Sequence, residues 1–183
     1  MSRVVSALFD TYDAAAEAVK RLEQAGIPYR EISVVAGEGE KRNTVSVGTT
    51  DDAIGGAEAG ASIGSLVGGG AGLLAGLGLV AIPGLGPMVA AGWLAATAIG
   101  AGTGAVTGGI IGALTGAGVS DEDAHVYAEG LRRGGTLVTV RVTEDQYELV
   151  RMLLDKSMPV DTISRRKSYQ EAGWSRFDEA PDH

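Results

Sequence analysis

A long run of small, uncharged residues occupies the middle of this 183-residue chain, from Ala59 to Ser120. Glycine recurs along it at spacings of four, in two rows separated by a proline-containing segment. A spacing of four is close to one helical turn, so each row predicts a strip of bare backbone along a helix. The rows comprise Gly56, Gly60, Gly64, Gly68, Gly72 and Gly76, then Gly92, Gly100, Gly104, Gly108, Gly112 and Gly116.

The segment between the two rows predicts a turn, because it contains Pro83, Gly84, Gly86 and Pro87. We therefore expect two helices, near 54–81 and 87–118, folded as an αα-hairpin. Each glycine inside a helix costs about 1 kcal/mol relative to alanine, so the rows predict close helix packing in compensation. Such a row drifts by about 40° per step, so either the two helices cross at a steep right-handed angle or each helix has more than one neighbour. We favour the second arrangement, which predicts a homo-oligomer.

The predicted helices are each about 40 Å long, more than the roughly 30 Å hydrocarbon core of a bilayer. This length and the missing charge predict transmembrane helices, with the lipid bilayer as a partner. The first residues, up to Asp10, do not form a signal peptide, so we expect a bacterial inner-membrane protein with cytoplasmic termini. The alternative is a cytoplasmic assembly that buries its hairpins between subunits, which suits the modest mean hydropathy of +0.13.

Composition excludes several classes of function. The net charge of −8 and the pI near 4.7 argue against nucleic acid as a partner. The chain has no cysteine, which excludes disulfides and thiolate chemistry.

The segments on either side of the glycine rows predict two βαβ units. Val19 to Leu22 align with Val150 to Leu153 at an offset that also aligns the Ile27-Pro28 and Met158-Pro159 pairs. A duplicated βαβ unit predicts an α+β, ferredoxin-like sheet, into which the glycine-rich hairpin is inserted. The predicted elements are strands at 3–9, 32–36, 136–142 and 160–165, and helices at 14–25, 120–133 and 144–156. Ser120 is the expected N-cap of the second of these helices.

These elements divide the chain into five parts. They are a first βαβ half at 1–36, a polar linker or small β-hairpin at 37–53, the glycine-zipper hairpin at 54–118, a helix plus the second βαβ half at 119–165, and a tail at 166–183 that we expect to be disordered. A ferredoxin-like sheet is also compatible with a ligand-sensing module, although no residue pattern indicates which ligand would bind.

No residue pattern predicts catalysis, a metal or a cofactor. Gly100 to Gly104 lacks the preceding strand and the later acid of a dinucleotide site. His125 has carboxylates one turn away on either side, Asp121 and Glu129, but no second histidine. We therefore expect His125 to pack at the base of the hairpin or in a surface network. Trp93 fits either a membrane interface or packing at the hairpin tip.

Six segments occur in a characteristic order, namely Val4 to Asp10, Ala25 to Ile27, Ile32 to Val35, Ala81 to Gly84, Asp123 to Tyr127 and Arg132 to Gly135. Their ordered combination resembles the general stress protein 17M-like family of bacteria. The resemblance implies a stress-induced, non-enzymatic protein and transfers no catalytic residue.

Overall fold

A computed structural model describes residues 2–37, 78–82, 86–94 and 109–177. The strands are β1 (Ser2–Phe9), β2 (Ile32–Gly37), β3 (Gly78–Ile82), β4 (Gly86–Ala91) and β5 (Thr136–Thr143). The α-helices are α1 (Tyr12–Gln24), α2 (Gly109–Gly116), α3 (Asp121–Arg132), α4 (Glu144–Asp155) and α5 (Thr162–Glu171). A short 3₁₀ turn, Tyr29–Glu31, precedes β2. The molecule is thus a mixed α+β protein.

The strands form one antiparallel sheet in the order β1-β5-β2-β4-β3. β5 lies between β1 and β2, and the β3–β4 hairpin extends the sheet beyond β2. Because β1 and β2 both run antiparallel to β5, they are parallel to each other. β1 is the first strand in the order and pairs only with β5 among the described strands, so it is an edge strand.

Helices cover both faces of the sheet. Val5, Ala7 and Phe9 alternate along β1, as the sequence predicts, and belong to the core under α1 and α4. Leu8 points to the opposite face, where it packs with residues of α2 and α3 such as Leu114 and Leu131. The period of two along β1 thus assigns its side chains to two separate cores.

Helix caps lie where the sequence predicts them. Ser120 is the N-cap of α3, and its hydroxyl accepts the Asp123 N–H at 3.2 Å. Gly26 follows the end of α1 with φ +84, in the left-handed region that glycine adopts without strain. The predicted strands at 3–9, 32–36 and 136–142 and the helices at 14–25, 120–133 and 144–156 are confirmed, with ends shifted by up to two residues.

The predicted helices at 54–81 and 87–118 are wrong at residues 78–82 and 86–91, whereas residues 109–116 of the second are helical as predicted. Residues 78–82 and 86–91 are the paired strands β3 and β4, and α2 begins only at Gly109. β3 and β4 exchange backbone hydrogen bonds with each other, and β4 also pairs with the side of β2 that does not face β5. Pro87 pairs with Ala81 in this hairpin. The pairing between β2 and β4 ends at Met88, so Pro87 has no partner in β2 and its missing N–H is tolerated. Pro83 and Gly84 lie outside the described residues.

The prediction of a membrane-spanning helix is also contradicted. Among the helices of the described ranges, none combines the length and the apolar character needed to cross a bilayer.

The predicted strand at 160–165 is wrong, because α5 begins at Thr162. Val160 makes one backbone hydrogen bond to β1, from its N–H to the Leu8 carbonyl at 2.7 Å. The Asp161 carboxylate then accepts the Ser164 N–H at 3.2 Å and caps α5. The second βαβ unit therefore lacks its final strand, and the ferredoxin-like duplication is not confirmed.

The tail is ordered as far as Phe177, contrary to expectation. α5 extends to Glu171, and Phe177 is buried in the core that contains Leu8 and Leu131. The apolar surface that this phenyl ring buries explains why the segment docks on the domain. Residues 178–183 lie outside the described part of the chain, as does the predicted linker at 37–53 except for Gly37.

Candidate functional site

A groove of about 590 Å³ runs along the edge of the sheet formed by β1. Val4 to Ala7 form its floor, and α4 contributes one wall through Tyr147, Arg151 and Asp155. The opposite wall comes from α3 and the residues before it, and the segment from Pro159 to Thr162 closes one end. The groove follows the strand where a further strand would pair.

Backbone groups of β1 point into this groove. The Leu8 carbonyl accepts the Val160 N–H at 2.7 Å, and the Ser6 carbonyl accepts the Tyr127 hydroxyl at 3.2 Å. Neither donor belongs to β5, so residues 6 and 8 direct their backbone groups away from β5. In an antiparallel pair this direction alternates, which places the backbone groups of Ser2 and Val4 on the same outer side.

Within the described ranges, Val160 bonds to the outer edge at Leu8, and the Tyr127 side chain bonds to it at Ser6. No backbone group of these ranges makes a hydrogen bond to the outer side of Ser2, Val4 or Ser6. The open stretch of edge thus extends from Ser2 to Ser6. Unpaired N–H and C=O groups along an edge strand are a template for pairing with another chain.

Tyr127 positions α3 over the edge. The residue is buried, and its hydroxyl supplies the bond to the Ser6 carbonyl. Burial, together with the nearby negative charge of Asp123, raises the pKa of Tyr127 well above its ordinary value of 10.0. The hydroxyl therefore remains protonated and continues to donate at all physiological pH values.

The α4 wall is charged. At its beginning, the Arg3 guanidinium lies 2.9 Å from the Glu144 carboxylate and 3.7 Å from the centre of the Tyr147 ring. Arg151 lies further along the groove, and neither it nor Glu148 has an ion pair within the described part of the chain. The same helix therefore presents acids in its first turns and an arginine in its middle.

Asp161 directs the chain away from β1. Its carboxylate accepts hydrogen bonds from the hydroxyl and the backbone N–H of Ser164. These hydrogen bonds, the one from the hydroxyl foremost, lower the pKa of Asp161, so the cap is charged at neutral pH. The cap begins α5 immediately after Val160 and keeps the covered end of the edge short.

The glycine rows lie mostly outside the described residues. Gly56 to Gly76 and Gly100 to Gly108 are not described, so their predicted packing remains a prediction. Gly112 and Gly116 lie in α2, and a Cβ built on Gly116 would meet no atom within 4 Å. Gly92 is not part of a helical row, because it has φ +93 and follows β4 at a close approach to β2.

The other residues singled out by sequence have structural positions away from the groove. His125 is buried, with its Nε2 accepting the Arg176 Nε–H at 2.8 Å and lying 3.7 Å from the Asp121 carboxylate. Within the part of the chain that is described, no three His, Asp or Glu side chains are grouped as a metal site. Trp93 packs on the sheet, where its indole N–H donates to the Glu31 carbonyl and the Arg141 guanidinium lies 4.9 Å from its ring.

Sequence reasoning missed the groove. The sequence predicts that Val4 and Ser6 lie in a strand, and nothing local indicates that this strand lies at an edge of the sheet. The sequence predicts a fourth strand at 160–165, which would pair with β1. Because these residues instead begin a helix, β1 is left at the edge.

No protein-family model, curated protein or solved structure matches this chain.

Proposed function

We propose that this protein is a non-enzymatic bacterial stress protein that acts by self-association, and that its α/β domain takes part through the open edge of β1. The observation that carries the proposal is the outward-facing backbone of Ser2 to Ser6 beside a groove of about 590 Å³. Strand addition at such an edge obtains its affinity from main-chain hydrogen bonds, with side-chain selectivity from the walls. The stress role comes from the family resemblance of the sequence.

Glycine-row packing is the second element of the proposed assembly. Gly112 and Gly116 of the second row lie on helix α2, and no described atom lies within 4 Å of a Cβ built on Gly116, which leaves room there for a close neighbour. The two contacts use different backbone groups, although Gly118 and Val119, which follow α2, also line the groove.

Analytical ultracentrifugation of the full chain over a wide concentration range tests the proposal. We expect concentration-dependent species larger than the monomer. Val4→Pro removes an outward N–H that β5 does not use, and Val4→Lys places a charge at the edge, so both should shift association to higher concentration. Leu149→Lys is the matched control, since Leu149 lies on α4 outside the groove and is 39% exposed.

A chain that stays monomeric throughout would overturn self-association as the function. Unchanged association in both Val4 variants, with the fold intact by circular dichroism, would remove β1 from the assembly.

A ligand-sensing module is the second candidate, and the volume of the groove is the observation that favours it. Small-molecule sites usually enclose about 300–1,000 Å³. A thermal-shift screen against a panel of metabolites tests this reading, and we would abandon it if no compound raises the melting temperature.

A further inference from the structure

We infer that two copies of the chain join β1 to β1 antiparallel across a twofold axis at Val4, so that their two sheets become one. This inference rests on the proposed self-association and adds its partner, direction and register. A twofold contact uses the same patch on both copies, so the patch must be complementary to itself.

The position of the axis follows from what is open on the edge. Val160 occupies the outer side of β1 at Leu8, which leaves Ser2 to Ser6 for a partner strand. In an antiparallel twofold contact, the open stretch of one copy pairs with the open stretch of the second copy. The residue at the middle of the stretch, Val4, therefore lies on the axis. Ser2 then faces Ser6 of the second copy, and Val4 faces Val4.

The backbone of these residues suits that register. Ser2, Val4 and Ser6 all direct their N–H and C=O groups outward, and each facing pair of such residues exchanges two hydrogen bonds. The Ser6 carbonyl accepts from Tyr127 as well, which its second lone pair permits. Any register centred nearer Leu8 would bring the second strand against Val160.

The charges of α4 favour the same arrangement. α4 runs in the direction of β1, because Glu144 pairs with Arg3 at one end and Val160 reaches Leu8 at the other. In the twofold arrangement the two α4 helices therefore run antiparallel along the seam. Arg151 of each copy then meets the acidic first turns of the other α4, where Glu148 lies one turn before Arg151 on an exposed face.

Cysteine cross-linking of the full chain tests the axis. The protein has no cysteine of its own, so each variant carries a single thiol. Residues facing each other in a hydrogen-bonded pair have Cα atoms about 5.5 Å apart, a distance that a disulfide spans. We expect Val4→Cys to give a covalent dimer under mild oxidation, and Val5→Cys and Lys20→Cys to give none at equal concentration.

Charge reversal tests the contact between the α4 helices. Arg151→Glu and Glu148→Arg should each raise the dissociation constant by about tenfold, because each places like charges across the seam. An equimolar mixture of the two variants restores opposite charges at both symmetric contacts, so it should associate like the unmodified chain. Lys20→Glu, a reversal on exposed α1, is the control and should change nothing.

The outcomes separate the two proposals. A covalent Val4→Cys dimer and a restored mixture support the twofold. The chain could still associate while Val4→Cys forms no covalent dimer and the mixture of charge-reversal variants associates only weakly. That result would overturn the twofold contact and leave self-association standing. A monomeric chain overturns both.

Discussion

Gly92 lies directly after β4 and has φ +93. A Cβ built on it would lie 2.4 Å from the Ile32 carbonyl oxygen and 2.7 Å from the Ser33 Cα, both of them backbone atoms of β2. Gly135 is similarly close to backbone, with its hypothetical Cβ 2.9 Å from the Gly130 carbonyl oxygen. The glycines that permit close packing in the described domain are therefore such single positions, and a spacing of four does not identify them.

We expect Gly92→Ala to lower the free energy of unfolding by about 2 kcal/mol or more. The left-handed backbone costs a non-glycine residue about 1–2 kcal/mol, and the overlap with β2 adds to that. Chemical denaturation measures the change. Gly116→Ala is the control: its Cβ meets no atom within 4 Å, so it should be neutral or stabilise α2 by up to about 1 kcal/mol. Equal effects of the two substitutions would contradict this account.

Tyr127 couples α3 to the edge strand through one hydrogen bond, to the Ser6 carbonyl. We expect Tyr127→Phe to cost about 1 kcal/mol at pH 7, the usual net value of such a bond. The raised pKa of Tyr127 makes a second, pH-dependent prediction. Its contribution is complete below pH 10, where the phenol of the unfolded chain begins to ionise, and decreases as the pH rises further.

Denaturation curves between pH 7 and 11 should therefore show a shallower alkaline loss of stability in Tyr127→Phe than in the unmodified protein. Parallel curves would show that Tyr127 does not hold its proton in the folded state.

At the scale of elements, α5 is attached to the domain largely by arginine–carboxylate pairs. Arg165 lies 2.8 Å from the Asp10 carboxylate, and Arg166 contacts Glu122 at 2.6 Å and Asp123 at 2.9 Å. These pairs join α5 to the end of β1 and to the first turn of α3. Together with the Asp161 cap and the buried Phe177 ring, these pairs hold α5 against the domain.

Arg166→Ala should loosen α5 without unfolding the sheet. Because the pairs are partly exposed, the expected loss is about 1 kcal/mol. Hydrogen exchange of the α5 amides should then accelerate by about fivefold, whereas β5 amides keep their rates. Arg30→Ala removes another exposed pair, far from α5, and serves as control. Faster exchange throughout the molecule in Arg166→Ala would point to global destabilisation.

At the scale of the whole molecule, two surfaces are available for assembly, the β1 edge and the glycine rows. Gly108→Leu introduces a large side chain into the second row, so we expect smaller assemblies by size-exclusion chromatography with light scattering. The covalent dimer of Val4→Cys should form equally well in the Gly108→Leu background. Loss of that dimer would mean that the two contacts depend on each other.

The predictions succeed where local chemistry decides the structure. The alternation of Val5, Ala7 and Phe9 and the Ser120 cap act within a few residues, so they can be read from the chain. The predictions are wrong where the secondary structure of a segment depends on pairing with residues far away in the chain. Residues 78–82 and 86–91 contain small and apolar residues compatible with helix or strand, and pairing with β2 selects the strand.

The candidate site, the outer edge of β1, also depends on residues far away in the chain. Whether β1 is central or at an edge depends on what residues 160–165 do, some 150 positions further along the chain. Asp161 caps a helix there and α5 docks on α3, so no strand of the described part of the chain pairs with the outer side of β1 from Ser2 to Ser6.

The amino-acid sequence alone is enough to predict β1, β2, β5, α1, α3 and α4, the Ser120 cap and the two-sided alternation of β1, because these depend on side-chain period and local hydrogen bonds. The tertiary structure sets the order of the strands, the β3–β4 hairpin in place of the expected helices, α5 in place of the expected last strand, and the edge position of β1 among the described strands. Those features depend on which backbone groups find partners far away in the chain, and no local pattern records that.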